Sequence, residues 1–270
     1  MTETLELRLP GLGGRRALVT GGSRGIGRAT VRLLARSGAS VGLAYRSDHD
    51  AAREALADAR EEAGRRAELA SGGEPRFWSE SGDLSREADV ARLFERVDAT
   101  FGGLDFFVGN AGIWNTEHTE LEALEPPAWR EMMEVNLTSI YLTTRAAVRR
   151  MSDGGRVVLV SSTAGQRGEP GHSHYAASKG AIISFVKSLS GELGPAGITV
   201  NAVAPGWVKT DMSASVLRSE ARERVLEEIP LGRVAEAEDV AGPIVFLLSD
   251  LGCQITGEVV NVNGGSVLCG

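Results

Sequence analysis

Seven short apolar runs, separated by longer stretches of helical character, constrain this chain more than any other feature. The runs are RRALVT (15–20), SVGLAY (40–45), PRFWSE (75–80), LDFFVG (104–109), RVVLVS (156–161), ITVNAV (198–203) and EVVNVN (258–263). Between the first two, GRATVRLLARSG repeats its apolar residues at helical spacing and stops at Gly38, a residue suited to a C-terminal cap. READVARLFERVDATFG repeats the pattern before the fourth run. Strands separated by helices predict a parallel sheet covered on both faces. Right-handed crossovers make that a doubly wound, Rossmann-type α/β fold with seven strands. There is no internal repeat and no linker rich in Pro or Ser, so residues 1–270 read as one domain, with 1–13 as an N-terminal extension. The polar stretch EEAGRRAELASGGEP, about residues 60–75, reads as an enlarged surface loop.

Charge and composition narrow the function classes. With 36 acidic against 29 basic residues the net charge is −7, which offers no footprint for nucleic acid or an anionic membrane. No run of about 18 apolar residues occurs that could span a bilayer. The start, MTETLELRLPGLGGRR, has no apolar core of the kind a secretion signal carries. Cys253 and Cys269 form no CxxC pair and read as free thiols. A cytoplasmic protein with a small-molecule substrate is expected.

The first strand runs directly into TGGSRGIGRAT, with glycines at 21, 25 and 27. Glycines permit a tight turn and the close approach of a pyrophosphate, while the following helix aims its N–H groups at it. Taken alone, such a turn could equally be a tight connection. Its place after the first strand of a βαβ unit favours a nucleotide. An acid ending the second strand would bind a ribose 2′-hydroxyl, whereas arginine accommodates a 2′-phosphate. Here the strand ends Ala44-Tyr45-Arg46-Ser47, and Asp48 comes three residues late. Arg46, Ser47 and Arg24 could hold a phosphate between them, or could simply be solvated polar residues. The reading favours NADP(H) over NAD(H).

In HSHYAASKGA, residues 172–181, Tyr175 and Lys179 stand four apart. On a helix both lie on one face, about 6 Å apart along the axis. An ammonium beside a phenol favours the phenolate, so the tyrosine pKa is expected to fall and the group to exchange protons. The competing reading is an incidental pair on an exposed helix face.

Taken together these pieces resemble the short-chain dehydrogenase/reductase family, in its single-domain branch, over roughly residues 14–267. Its nearest flavour is that of 3-oxoacyl-carrier-protein reductases. TGGSRGIG matches the cofactor loop (Gly21, Ser23, Arg24, Gly25, Ile26, Gly27), and Tyr45, Arg46 and Ser47 come next at the second strand. Asp83 and Leu84 in GDLS fall where the family meets adenine, and Asn110, Ala111 and Gly112 match its NAG motif. PGWVKT matches the loop lining the nicotinamide, with Pro205, Gly206, Val208 and Thr210; Thr210 could instead cap the next helix. The resemblance implies catalysis by Asn136 in VNLTS, Ser162 in VSSTAG, Tyr175 and Lys179. Ser161 is the rival for Ser162; adjacent strand residues face opposite ways, and the spacing of 13 to Tyr175 selects Ser162.

The reaction implied by the resemblance is hydride transfer between nicotinamide and a carbonyl or secondary alcohol. Tyr175 passes the proton and Lys179 tunes it and reaches the nicotinamide ribose. Ser162 bonds the substrate oxygen, and Asn136 holds a water leading to solvent; Asn136 could also be a packing amide. Trp114, His172 and Trp207 are expected at the substrate pocket, beside Arg167 and Glu169, with residues 207–228 as a lid. His172 and His174 lack ligand partners at metal spacing, so they are expected to shape the pocket or its rim, and no metal is expected. DVAGPIVFLLSD (239–250) is apolar on most of its surface and must be buried by core or partner, which with the resemblance implies a homotetramer. Two other readings remain open: a dehydrogenase oxidising a sugar, steroid or other secondary alcohol, and a catalytically silent nucleotide-binding regulator.

Overall fold

The computed structural model describes residues 9–65 and 74–269. Seven strands, β1 (Arg16–Thr20), β2 (Ser40–Tyr45), β3 (Phe77–Ser81), β4 (Leu104–Gly109), β5 (Met151–Val160), β6 (Thr199–Pro205) and β7 (Val259–Val262), form one sheet in the order β3-β2-β1-β4-β5-β6-β7. Every pairing is parallel. The order reverses between β1 and β4, which opens a crevice at their carboxyl ends.

Among the described residues ten α-helices connect the strands: α1 (Gly25–Arg36), α2 (His49–Gly64), α3 (Glu87–Phe101), α4 (Pro126–Met133), α5 (Ser139–Val148), α6 (Ala164–Arg167), α7 (Ser173–Leu193), α8 (Ala214–Leu217), α9 (Ala221–Glu227) and α10 (Ala237–Leu248). A π-helical turn, Glu134–Thr138, joins α4 to α5. The alternation of a strand splits the core in two. Ala17 and Val19 of β1, with Val158 and Val160 of β5, face α1, α2 and α10; Leu18, Val157 and Leu159 face α3, α5 and α7.

Several sequence expectations need adjustment. The N-terminal extension is partly structural, because Leu12 is fully buried in the core. Helix α2 continues to Gly64, so the polar loop starts later than about residue 60, and residues 66–73 lie outside the described residues. The apolar surface of α10 is met largely within the chain: Val240, Ile244, Val245, Leu247 and Leu248 join the core beside α1. That helix therefore does not require a partner. No described helix is long and apolar enough to cross a membrane. Cys253 and Cys269 are exposed and free.

One ion pair anchors the crevice from below. Asp105 on β4 accepts from the Arg16 backbone N–H at 2.8 Å and from Arg16 Nε at 2.7 Å and Nη2 at 3.1 Å. Burial pushes this carboxyl up, but the Arg16 bonds outweigh it and hold the group below the usual carboxylate range. Its contribution is therefore present above about pH 4 and lost as pH falls through the folded-state value. Asp105→Ala strands Arg16 and is expected to cost about 3 kcal/mol at pH 7. Urea denaturation at pH 7 and again near pH 3 checks this, since the gap from wild type must shrink in acid.

Candidate active site

The site is assembled at the carboxyl ends of β1, β2, β4, β5 and β6. Beyond β1 the chain turns through Gly21 (φ +64°) and Gly25 (φ +49°) into α1. A Cβ on Gly27 would fall 2.1 Å from the Gly21 carbonyl, so the turn closes on itself only with glycine there. The turn is tied to β4 by polar bonds. Asn110 Nδ2 donates to the Thr20 and Gly21 carbonyls at 3.0 and 3.1 Å, and Thr20 Oγ1 accepts from the Asn110 and Ala111 N–H groups, each at 3.0 Å.

This turn floors a cavity of about 520 Å³. Ser23, Arg24 and Ile26 line one end, Tyr45, Arg46 and Ser47 the β2 end, Asp83 and Leu84 the next wall, and Asn110 to Gly112 the β4 side. Thr210 lines it beside Gly25. Gly27 lies behind the turn as packing, while Pro205, Gly206 and Val208 line an adjoining cavity. Asp211 and Met212 also reach the first cavity, which the sequence did not point to.

The β2 end presents cations rather than a free acid. Asp48 caps α2 by accepting from the Ala51 N–H at 3.0 Å. Arg24 stands 4.0 Å from Asp48 and 3.5 Å from Asp211, and Arg46 stands 3.7 Å from Asp83. Both guanidinium side chains are more than half exposed, so these long pairs hold them weakly. A glycine cradle that a Cβ would fill and two weakly held arginines at the strand end fit a dinucleotide with a 2′-phosphate. Gly21, Gly25, Arg24, Arg46 and Ser47 would hold it.

The adjoining cavity, about 160 Å³, brings a serine and a tyrosine to one wall. Ser162 is the second residue beyond β5, and Tyr175 sits in the first turn of α7; both line it. A Cβ on Gly165 would lie 2.5 Å from the Lys179 carbonyl carbon, so α6 approaches α7 closely and brings the two side chains to one wall. Ser161 donates to the Lys179 carbonyl at 2.7 Å and is thereby committed to α7. Ser162 is left to face the cavity.

Lys179 and Asn136 lie behind this wall and line neither cavity. Lys179 is 5% exposed, and its Nζ donates to the Val160 carbonyl at 3.0 Å. Burial lowers its pKa to about 8. Asn136 is fully buried in the π turn. Its Oδ1 accepts from the Ile113 N–H at 2.7 Å, and its Nδ2 donates to the Ile113 carbonyl at 2.9 Å, with Met132 and Ser178 nearby. Both ends of the amide thus hold the turn beyond β4, and a relay water would have to rest on main-chain groups.

Two expectations are corrected. Burial pushes the Tyr175 phenol above its ordinary value; the nearby Ser162 hydroxyl pulls the other way and Glu169 adds to the rise. Lys179 does not offset this, because its Nζ is turned to Val160 and lies 5.9 Å from the tyrosine ring centre. His172 does not line the catalytic cavity. It is buried behind Trp114, with ring centres 5.3 Å apart, and neither of its nitrogens has a partner among the described residues. His174 is buried too, and burial with His172 lowers its pKa. Among the described residues no cluster of His, Cys, Asp and Glu could hold a metal. Thr210 does not cap α8, whose N-cap is Ser213. Trp114 and Trp207 do line the cavity, as do Arg167 and Glu169; Glu228 and Ser266 complete the mouth.

Comparison with known proteins supplies the context for this geometry. A family model described as enoyl-(acyl carrier protein) reductase matches residues 21–266. The chain is 39% identical to the 3-oxoacyl-(acyl-carrier-protein) reductase of Aquifex aeolicus, covering 97% of this chain and 99% of that protein. It is 37% identical to the enzyme of the same name from Escherichia coli, over 93% and 97% of the two chains. Among solved structures, a short-chain dehydrogenase from Burkholderia cenocepacia in complex with NADP superposes with a TM-score of 0.85 at 33% identity, covering 94% of this chain and 98% of that one. A blue fluorescent protein from a metagenomic library, in complex with NADPH, gives 0.86 at 31% identity over 95% and 99%. Fold, crevice and matched length agree: the chain belongs to the short-chain dehydrogenase/reductase family.

Proposed function

We propose that this protein is an NADPH-dependent ketoreductase that reduces 3-oxoacyl thioesters to 3-hydroxyacyl thioesters. The observation carrying this reading is the shared wall of Ser162 and Tyr175 beside a dinucleotide-sized crevice. When bound, NADPH supplies a hydride to the carbonyl carbon. Tyr175 donates the proton to the carbonyl oxygen, and its raised pKa keeps the phenol protonated for that task. Ser162 donates a hydrogen bond to the same oxygen as it gains charge. Lys179 places a positive charge behind the wall, and Asn136 fixes the loop that shapes it. Two donors directed at one oxygen suit a carbonyl better than a carbon–carbon double bond, which favours the 3-oxoacyl relatives over the enoyl description.

Monitoring the absorbance of reduced nicotinamide with acetoacetyl and crotonyl thioesters tests this. Turnover of the first and not the second supports the reading; turnover of neither ends it. NADPH is expected to be preferred over NADH. Arg46→Ala and Arg24→Ala are each expected to raise the KM for NADPH about tenfold or more, the worth of one charge-assisted phosphate contact, with little change for NADH. Equal effects on both cofactors would remove the 2′-phosphate assignment.

The same reading carries a cytoplasmic homotetramer. Trp129 on α4 and Tyr141 on α5 are 40% and 47% exposed, apolar surface that a subunit contact would cover. A monomer by light scattering at micromolar concentration would exclude the tetramer. Residues 207–228, folded here as α8 and α9 on a small core of Trp207, Val216 and Val225, serve as the lid. Equal protease sensitivity there with and without cofactor and substrate would count against that role.

A further inference from the structure

The lining of the catalytic cavity is of two kinds. Arg167 and Glu169, paired at 2.9 Å, are polar, as are Glu228 and Ser266. Trp114, Trp207, Val208 and Met212 are apolar. An apolar acyl tail laid against the polar groups would strip water from charges, which is unfavourable. Its route therefore lies along the tryptophans.

That route is closed. Trp114 and Trp207 meet edge to face, with ring centres 5.6 Å apart at 77°. Trp114 also stands 6.3 Å from the Tyr175 ring, and so beside the proposed reacting position. It is braced from behind by the buried ring of His172. The loop beyond it is tied down where the Thr119 N–H donates to the Gly171 carbonyl at 2.9 Å. Trp207 is braced by the small core under α8 and α9. The space left, about 160 Å³, is far below that of an ordinary ligand pocket and close to a cavity that holds one benzene ring. The reacting part of an acetoacetyl group, about six heavy atoms, matches it in size.

We infer that Trp114 and Trp207 act as the end stop of the acyl site and restrict efficient turnover to short 3-oxoacyl groups, of about four to six carbons. This rests on the ketoreductase reading given above. A longer tail has to break the contact between two braced rings before the carbonyl reaches Tyr175 and Ser162.

The test compares 3-oxobutanoyl and 3-oxodecanoyl thioesters of N-acetylcysteamine, so that only the tail differs. Wild type is expected to favour the short substrate by about tenfold or more in kcat/KM. Trp207→Ala and Trp114→Ala are each expected to shift the ratio of the two kcat/KM values towards the long substrate by about tenfold, chiefly through a lower KM for it. Trp207→Phe keeps an aromatic stop and is expected to shift the ratio less. NADPH binding by calorimetry shows that each variant is folded. Equal use of both substrates by wild type overturns the inference, whatever the variants do. So does a proportional loss of both substrates in the alanine variants. Turnover of neither thioester by wild type removes the ketoreductase reading, and the end stop with it.

Discussion

Tyr175→Phe is expected to lower kcat by about 10²- to 10⁴-fold, the range over which a positioned general acid contributes. NADPH affinity is expected to stay within a few-fold, because Tyr175 lines the catalytic cavity and not the larger one. The substitution removes one oxygen and keeps the ring, so packing against Trp114 survives. Single-turnover kinetics with saturating NADPH separate the proton step from binding. A variant that kept more than a tenth of the wild-type rate would remove Tyr175 from the role of acid. The raised phenol pKa makes a second demand on the same experiment. Tyr175 is fully protonated throughout the neutral range, so the reductive rate of wild type is expected to show no loss on its account between pH 6 and 8.

Much of this was legible in the residues. Each of the seven apolar runs overlaps an observed strand; for β1, β2, β4 and β6, buried on both faces, a continuous apolar run is required. The extent of β5 was not legible. Its first residues, MSDGG, have no strand pattern, and they join the sheet only through the pairing of Met151 with Leu104 ahead of an irregularity in register. The glycine turn, the cations after β2 and the spacing of Ser162 from Tyr175 all point to the crevice at the strand ends, since these depend on local chain geometry. What failed depended on where long side chains point. A spacing of four puts Tyr175 and Lys179 on one helix face, but the lysine reaches past the tyrosine to the Val160 carbonyl, a contact that only the fold creates. His172 reads as a pocket residue because it lies in the loop stretch that the resemblance places at the pocket, yet the loop carrying Trp114 covers it. Helix α10 is apolar on nearly every side and so needs burial by core or by partner; which of the two depends on its neighbours, and α1 lies against it.

Lys179→Met is expected to abolish most activity and at the same time to stabilise the fold. The ammonium is buried, with one carbonyl for a partner, and burial brings its pKa from 10.5 to about 8. At 1.36 kcal/mol per pH unit, keeping that charge in place at neutral pH costs on the order of 3 kcal/mol. Methionine has nearly the same length and no charge to desolvate. Proton counting gives the sign. Between about pH 8 and 10.5 the unfolded chain binds the proton that the folded chain has lost, so wild-type stability gains with pH there. The advantage of the methionine variant is thus complete below about pH 8 and fades across that window. A rise in Tm of roughly 5 °C at pH 7, shrinking by pH 10, is the expected calorimetric result. Wild-type turnover should fall as pH rises through about 8, where the charge behind Tyr175 is lost. A less stable variant at pH 7 would mean that the bond to Val160 outweighs the cost of burying the charge. A variant of wild-type activity would mean that Tyr175 works without a cation behind it.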